Sequence, residues 1–439
     1  MTSAAPVFPE FPRQALGVAP GRRQIVYAPV IPAPPWSLGL ASAALYIMTA
    51  VGRVQDVFPA LAPLHLALLS SALAIVCVAL DPGALSRVNA AIALPTSWCV
   101  LGILMWAVLG VPTALWPGGS VGILRTILVK VVLMYFVLLG AVRHPRDVQR
   151  LAGAYVASVM VYAAMVLVRF HGNPDAIRTR GLYDYDSNDF ATLIASTVPI
   201  ALHLVVARGW RVPRLVGIGG LGALLLAFIW ANSRGGFLAL LAAALVILIG
   251  YRVVSAPVRI GVAVVAVIGF ALAAGPSFWA RMNTITNADQ DYNMTSSEGR
   301  WQLWERGMGY MEARPLLGVG IGGFPSAEGQ LSEQARDARA HGRGEKWSEP
   351  HNSFVQIGAE LGIPGLLLFL GMLWSAVRGL RGLQDAGMAV GMLAAVVAFA
   401  VGGFFLSLAY KEMLYVLIAL AAAARLSNQG GLRLPQPKR

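Results

Sequence analysis

One imidazole carries the most chemical promise in this sequence. It sits in Glu349-Pro350-His351-Asn352-Ser353-Phe354, which runs without a break into the apolar stretch Val355 to Leu370. An unperturbed histidine titrates near ~6.5, so a ring where a polar segment enters a membrane-length apolar run is well placed to take a proton from a hydroxyl. Cations form the second set. Ser233-Arg234-Gly235-Gly236 opens one apolar run, Arg125 lies within another, Lys411 begins a third, and Arg178, Arg180 and Arg300 lie in polar segments. Because a guanidinium forks onto two phosphate oxygens, these side chains suit a diphosphate better than a carboxylate.

The elements that must position these groups are membrane helices. Hydrophobic residues are 57% and charged residues 13% of 439 positions, and mean hydropathy is +0.66, far from a soluble domain. Apolar runs of about 17–25 residues number twelve, at 36–51, 58–80, 88–109, 121–142, 151–170, 187–207, 212–231, 234–251, 257–275, 354–377, 383–406 and 409–425. The expected fold is therefore all-α, a polytopic membrane bundle of about twelve helices with a large loop between helices 9 and 10. Residues 1–35, rich in proline and carrying Arg13, Arg22 and Arg23, read as a disordered cytosolic tail rather than a signal peptide. Helices 1–9 occupy 36–275, the loop 276–350, helices 10–12 351–425, and a second cytosolic tail 426–439. Cys77 and Cys99 lie in apolar runs and read as packing residues.

Arginine placement sets the orientation. With a cytoplasmic N-terminus, the inner loops contain Arg143, Arg146 and Arg150, then Arg208, Arg211 and Arg214, Arg252 and Arg259, and Arg378 and Arg381, as the positive-inside rule requires. The net charge of +13 is thus mostly a topology signal, and nucleic acid is not an expected partner. Both termini are then cytoplasmic, and the unusual polar residues gather on the outer face. Even-numbered helices present their N-termini there, where unpaired N–H groups and partial positive charge favour an anion.

Other features have plainer readings. Asp184-Tyr-Asp186 could hold a divalent ion, but as a cap for helix 6 together with Asn188 it needs no metal. Thr295-Ser-Ser-Glu298 resembles a capping box and opens an amphipathic helix over 298–313, with Trp301, Trp304, Met308 and Met311 at helical spacing and read mainly as a packing face. Gly318-Val-Gly320-Ile-Gly322-Gly323 follows no strand and reads as a hinge or tight turn. Glu360, at membrane depth, is expected to pair with Lys130 or Arg125.

Taken in order, Ser233-Arg234-Gly235-Gly236, Gly299-Arg300-Trp301 through Trp304 with Pro315 to Gly320, and His351-Asn352-Ser353 followed by Glu360-Leu-Gly362 and Pro364-Gly365 resemble the O-antigen ligase and Wzy polymerase superfamily. The resemblance spans roughly residues 178–370. It implies a GT-C-like membrane glycosyltransferase, metal-independent and inverting, which needs no cofactor. The glycan would pass from undecaprenyl diphosphate to an acceptor hydroxyl on lipid A-core (a ligase, the favoured form) or on a growing glycan (a polymerase). His351 would act as general base or acceptor-orienting residue. Arg234 and Arg300 would bind the donor diphosphate with help from Arg178 or Arg180. Ser233, Asn352, Asn188, Glu360, Arg125 and Lys411 would support them. A lipid-linked glycan flippase or transporter is the rival from another class, but such proteins tend to place their sites at the midplane between repeated halves, and no repeat relates 36–207 to 212–425.

Overall fold

The structure is a computed structural model describing residues 35–428 apart from 54, 56, 57, 181, 183, 184, 208–213, 288–291, 297, 298, 345, 346 and 384, and the side chains of 59, 62, 179, 180, 292 and 294. The expectations for both tails, Arg208, Arg211, Asp184 and the Glu298 capping box fall outside the described residues. Among the described residues every regular element is helical. We number the principal helices α1 Leu38–Ala50, α2 Leu66–Ala79, α3 Ala84–Ile92, α4 Pro95–Gly110, α5 Pro117–Ala141, α6 Pro145–Phe170, α7 Ser187–Val206, α8 Arg214–Ala231, α9 Arg234–Gly250, α10 Ala256–Ala273, α11 Pro276–Asn283, α12 Arg300–Ala313, α13 Phe324–Leu331, α14 Glu333–Ala340, α15 Ser353–Gly379, α16 Ala386–Gly403 and α17 Glu412–Asn428.

All twelve apolar runs are helical, but they do not make twelve equal spans. Among the described residues eight helices are long and apolar enough to cross a membrane, or nine when α2 and α3, bent by 102° at Asp81–Gly83, count as one. The run at 88–109 is split by Leu94-Pro95, because proline cannot continue a helix but is accommodated in the first turn of the next one. Helices α1 and α9 are apolar but shorter. A π-turn at Leu124–Leu128 interrupts α5 beside Arg125.

Helix α17 is the hub. Every residue from Met413 to Ala424 is buried, and it packs on α5, α6, α15 and α16. Beside α16, α7 and α9 pack closely on it and on each other through small residues, the usual device where lipid offers no hydrophobic drive between helices. A Cβ on Gly402 would lie 2.4 Å from Thr192 of α7, and one on Gly236 of α9 would lie 2.6 Å from Ala191. Helix α10 is the opposite case, apolar beyond Arg259 in its first turn and with no buried residue.

Side-chain contacts sort the loops into two sets. Asp81 is held by Arg87 and Arg143, Asp385 meets Gln149 and His203, and Asn428 reaches the Gly382 carbonyl; all join segments expected inside. Tyr185 donates to the Val51 carbonyl at 3.0 Å and Arg314 to that of Thr113 at 2.9 Å, joining segments expected outside.

Candidate active site

The imidazole enters the site through its backbone. Asn352 caps α15, its side-chain oxygen accepting from the N–H groups of Phe354 and Val355 at 2.9 and 3.1 Å, so His351 is not the helix cap. His351 stands one residue before that cap with φ +48°, a left-handed conformation rarely adopted by a residue with a side chain and found disproportionately at functional sites. Two bonds hold it there. The His351 N–H donates to Ser407 Oγ at 3.0 Å, and the Pro350 carbonyl accepts from Trp304 Nε1 at 2.9 Å.

Ser407 belongs to the connection from α16 to α17, and this connection gathers the other motifs. Ser353 Oγ donates to the Leu406 carbonyl at 2.6 Å and accepts from the Leu408 N–H at 2.9 Å. Phe404 packs edge-on against Trp304 of α12 at 5.1 Å and lies 6.2 Å from Phe354. Phe405 covers Gly235, where a Cβ would approach it to 2.9 Å. A glycine is therefore needed beside Arg234 so that the start of α9 can meet the connection. Ser233 caps that helix by accepting from the Gly236 N–H at 3.2 Å, and Arg234 donates to Thr284 Oγ1, just beyond α11, at 2.7 Å. Three motifs distant in sequence thus meet one short segment, 404–411.

Lys411 closes that segment. Asp189, near the start of α7, lies within electrostatic reach of Lys411, Asp186 and Glu349. Asp186 caps α7 by accepting from the N–H groups of Asn188 and Asp189, both at 2.7 Å, as expected, and Asn188 enters through its backbone. Arg300 is the first residue of α12, which starts after Gly299 rather than at Glu298. Arg178 is exposed on the single turn Ala176–Arg180, and no contact joins it to His351; the Arg180 side chain is outside the described residues. Arg125 is exposed.

Glu360 requires a correction. Lys130 binds Glu412 at 2.6 Å, not Glu360, and Arg125 does not reach it. The Glu360 side chain is fully enclosed and meets the N–H of Phe324 at 3.4 Å, with Gly322 and Tyr410 close by. The reason is a break in α15. Gly362 adopts φ +69°, ψ −172°, and the glycine-rich segment docks into the gap. The N–H groups of Val319 and Gly320 donate to the Ala359 and Glu360 carbonyls, and Ile363 N–H to that of Pro315, at 2.9, 3.0 and 2.8 Å. The expected turn is present, with Gly318, Gly320 and Gly322 all at positive φ, and its role is to join α12 to α15. The stripe on α12 is corrected in part: Trp304 packs on Phe404 and Met311 lies against Gly358, as a packing face requires, but the other two positions do not. Leu303, Gly307 and Tyr310 face inward, while Trp301 and Met308 are 45% and 44% exposed.

Sequence reasoning missed Ser407, Ser353, Thr284 and the Lys130–Glu412 pair. Ser407 had one signal, as the sole hydroxyl in the apolar run Phe404 to Ala409. Residues 219–370 match the family model described as O-antigen ligase, a span that contains Arg234, Arg300, His351 and the break at Gly362. No curated protein matches the chain at a significant level.

Proposed function

We propose that the chain, whose residues 219–370 match the family model described as O-antigen ligase, is a member of the O-antigen ligase and Wzy superfamily, a metal-independent, inverting glycosyltransferase of the bacterial inner membrane acting at the periplasmic face. The acceptor hydroxyl gives its proton to His351 while its oxygen attacks the anomeric carbon from the face opposite the diphosphate. The bond to the undecaprenyl diphosphate oxygen breaks, and the leaving charge is met by Arg234 with Arg300, Arg178 and Arg180, fixed cations being most effective where charge develops. Ligation to lipid A-core is the favoured form, and polymerisation of lipid-linked repeats is the alternative. The outer segments, including 276–350, are read as periplasmic, with about twelve helices crossing and both termini cytoplasmic.

The observation that carries this reading is the convergence of the His351 turn, the Arg234 helix end and Trp304 on the 404–411 connection. Removal of the gene, with surface glycans and lipid-linked intermediates analysed together, tests it. Long chains absent from lipid A-core, with polymer held on undecaprenyl diphosphate, identify a ligase. Chains ending at one repeat identify a polymerase. Unchanged glycans and intermediates would refute the proposal.

A further inference from the structure

Resting on the glycan-transfer reading, we infer that the indole face of Trp301 is the platform on which the sugar carrying the acceptor hydroxyl stacks. Helix α12 turns Leu303, Gly307 and Tyr310 inward, which leaves Trp301 exposed on a rigid element. An exposed indole ordinarily samples several rotamers. Here Trp301 Nε1 donates to Glu305 Oε1, one turn along, at 2.9 Å, and its other side meets Trp304, with ring centroids 6.3 Å apart. Trp304 in turn holds the carbonyl of Pro350, the residue before His351. The braced ring is therefore one aromatic contact and one hydrogen bond from the backbone of the candidate base.

The chemistry of the face selects its ligand. An aromatic face carries partial negative charge, which matches the C–H-lined face of a pyranose, and the ring leaves the sugar hydroxyls at its rim free to reach other groups. Bracing by Glu305 removes rotamer entropy before binding, so less is lost when the sugar docks. A phosphate would gain nothing from such a surface. The competing role for an exposed tryptophan beside a membrane is interfacial anchoring, which requires neither proximity to His351 nor a fixed ring.

The test uses the full chain in nanodiscs, as wild type, Trp301→Ala, Trp301→Phe, Glu305→Gln and His351→Ala. Binding of released lipopolysaccharide core oligosaccharide, and separately of a soluble repeat-unit oligosaccharide, is followed by saturation-transfer NMR. Initial transfer rates are measured against acceptor at saturating lipid-linked donor. Trp301→Ala should weaken saccharide binding and raise acceptor KM about three- to tenfold, with kcat and donor KM nearly unchanged. Trp301→Phe should restore most of the affinity, Glu305→Gln should show a smaller rise in KM, and His351→Ala should bind saccharide normally while failing to transfer it. Unchanged binding and acceptor KM in Trp301→Ala would overturn the platform and leave the anchoring role. Trp301-dependent saccharide binding by a wild-type protein that transfers nothing would instead remove the transfer reading and keep the platform.

Discussion

Replacing Gly362 with alanine should loosen the junction between the outer segment and α15. At φ +69°, ψ −172° the backbone occupies a region essentially restricted to glycine, and a residue with a Cβ costs about 1–3 kcal/mol there. The new Cβ would also lie 2.5 Å from the carbonyl oxygens of Pro315 and Leu316, so the docked backbone must retreat. That retreat weakens the bonds from Val319, Gly320 and Ile363, each contributing about 0.5–1.5 kcal/mol net. A combined loss of about 3–5 kcal/mol follows. Hydrogen exchange in nanodiscs reads it directly: the amides of Val319, Gly320 and Ile363 should exchange at least about a hundredfold faster. Gly269→Ala, on α10 where a Cβ meets nothing within 4 Å, is the control. Protection of these three amides within about threefold of wild type, well under one kcal/mol, would refute the argument.

Three further perturbations have defined outcomes. Glu328 is 1% exposed and accepts from Arg306 Nε and Nη2 and from the Tyr310 hydroxyl; burial, then the Glu328 negative charge, holds the Tyr310 hydroxyl well above its usual range. Glu328→Ala should destabilise the outer segment by about 3–5 kcal/mol, seen as faster limited proteolysis between 300 and 340. Glu412→Gln leaves Lys130 without its 2.6 Å partner and should lower thermal stability, while adding Lys130→Met should recover part of the loss. The Asp385 carboxyl is pushed down to about 2, first by the His203 imidazole 3.6 Å away and then by the Met388 N–H, against the effect of burial. Its folded value lies below the ordinary ~3.9, so its stabilisation is complete above that value and is lost as pH falls towards about 2. Melting temperature followed from pH 5 to pH 2 should decline less steeply in Asp385→Asn.

Which parts of this structure the sequence could disclose follows a physical division. Apolar runs report helix existence because a backbone in lipid must satisfy its own hydrogen bonds, so all twelve runs are helical. They do not report breaks that other segments repair. Gly362 interrupts a run that reads as continuous because its freed carbonyls are capped by residues some forty positions earlier, and no local pattern encodes that. The Asp186 cap and the turn at 318–323 were legible because caps and positive-φ glycines are local rules. The surroundings of Glu360 were not, since hydropathy places charges at a depth without saying which of them meet, and Lys130 has Glu412 to hand. The stripe on α12 was half legible: periodicity at 301, 304, 308 and 311 marks a helix face, and Trp304 and Met311 do pack, but periodicity cannot set them apart from Trp301 and Met308, which are exposed. His351 and Arg234 stood out through residue type and motif order, whereas the segment that unites them, 404–411, looks like an ordinary apolar connection.

The central claim is that His351 takes the proton from the acceptor hydroxyl. Its most direct test is the surface-glycan profile, with lipid-linked intermediates, of cells whose only copy carries His351→Ala at normal level. Loss of long chains from lipid A-core with polymer retained on undecaprenyl diphosphate, or arrest at one repeat, is the predicted result. A profile indistinguishable from wild type would contradict the mechanism and reduce His351 to a structural residue at the mouth of α15.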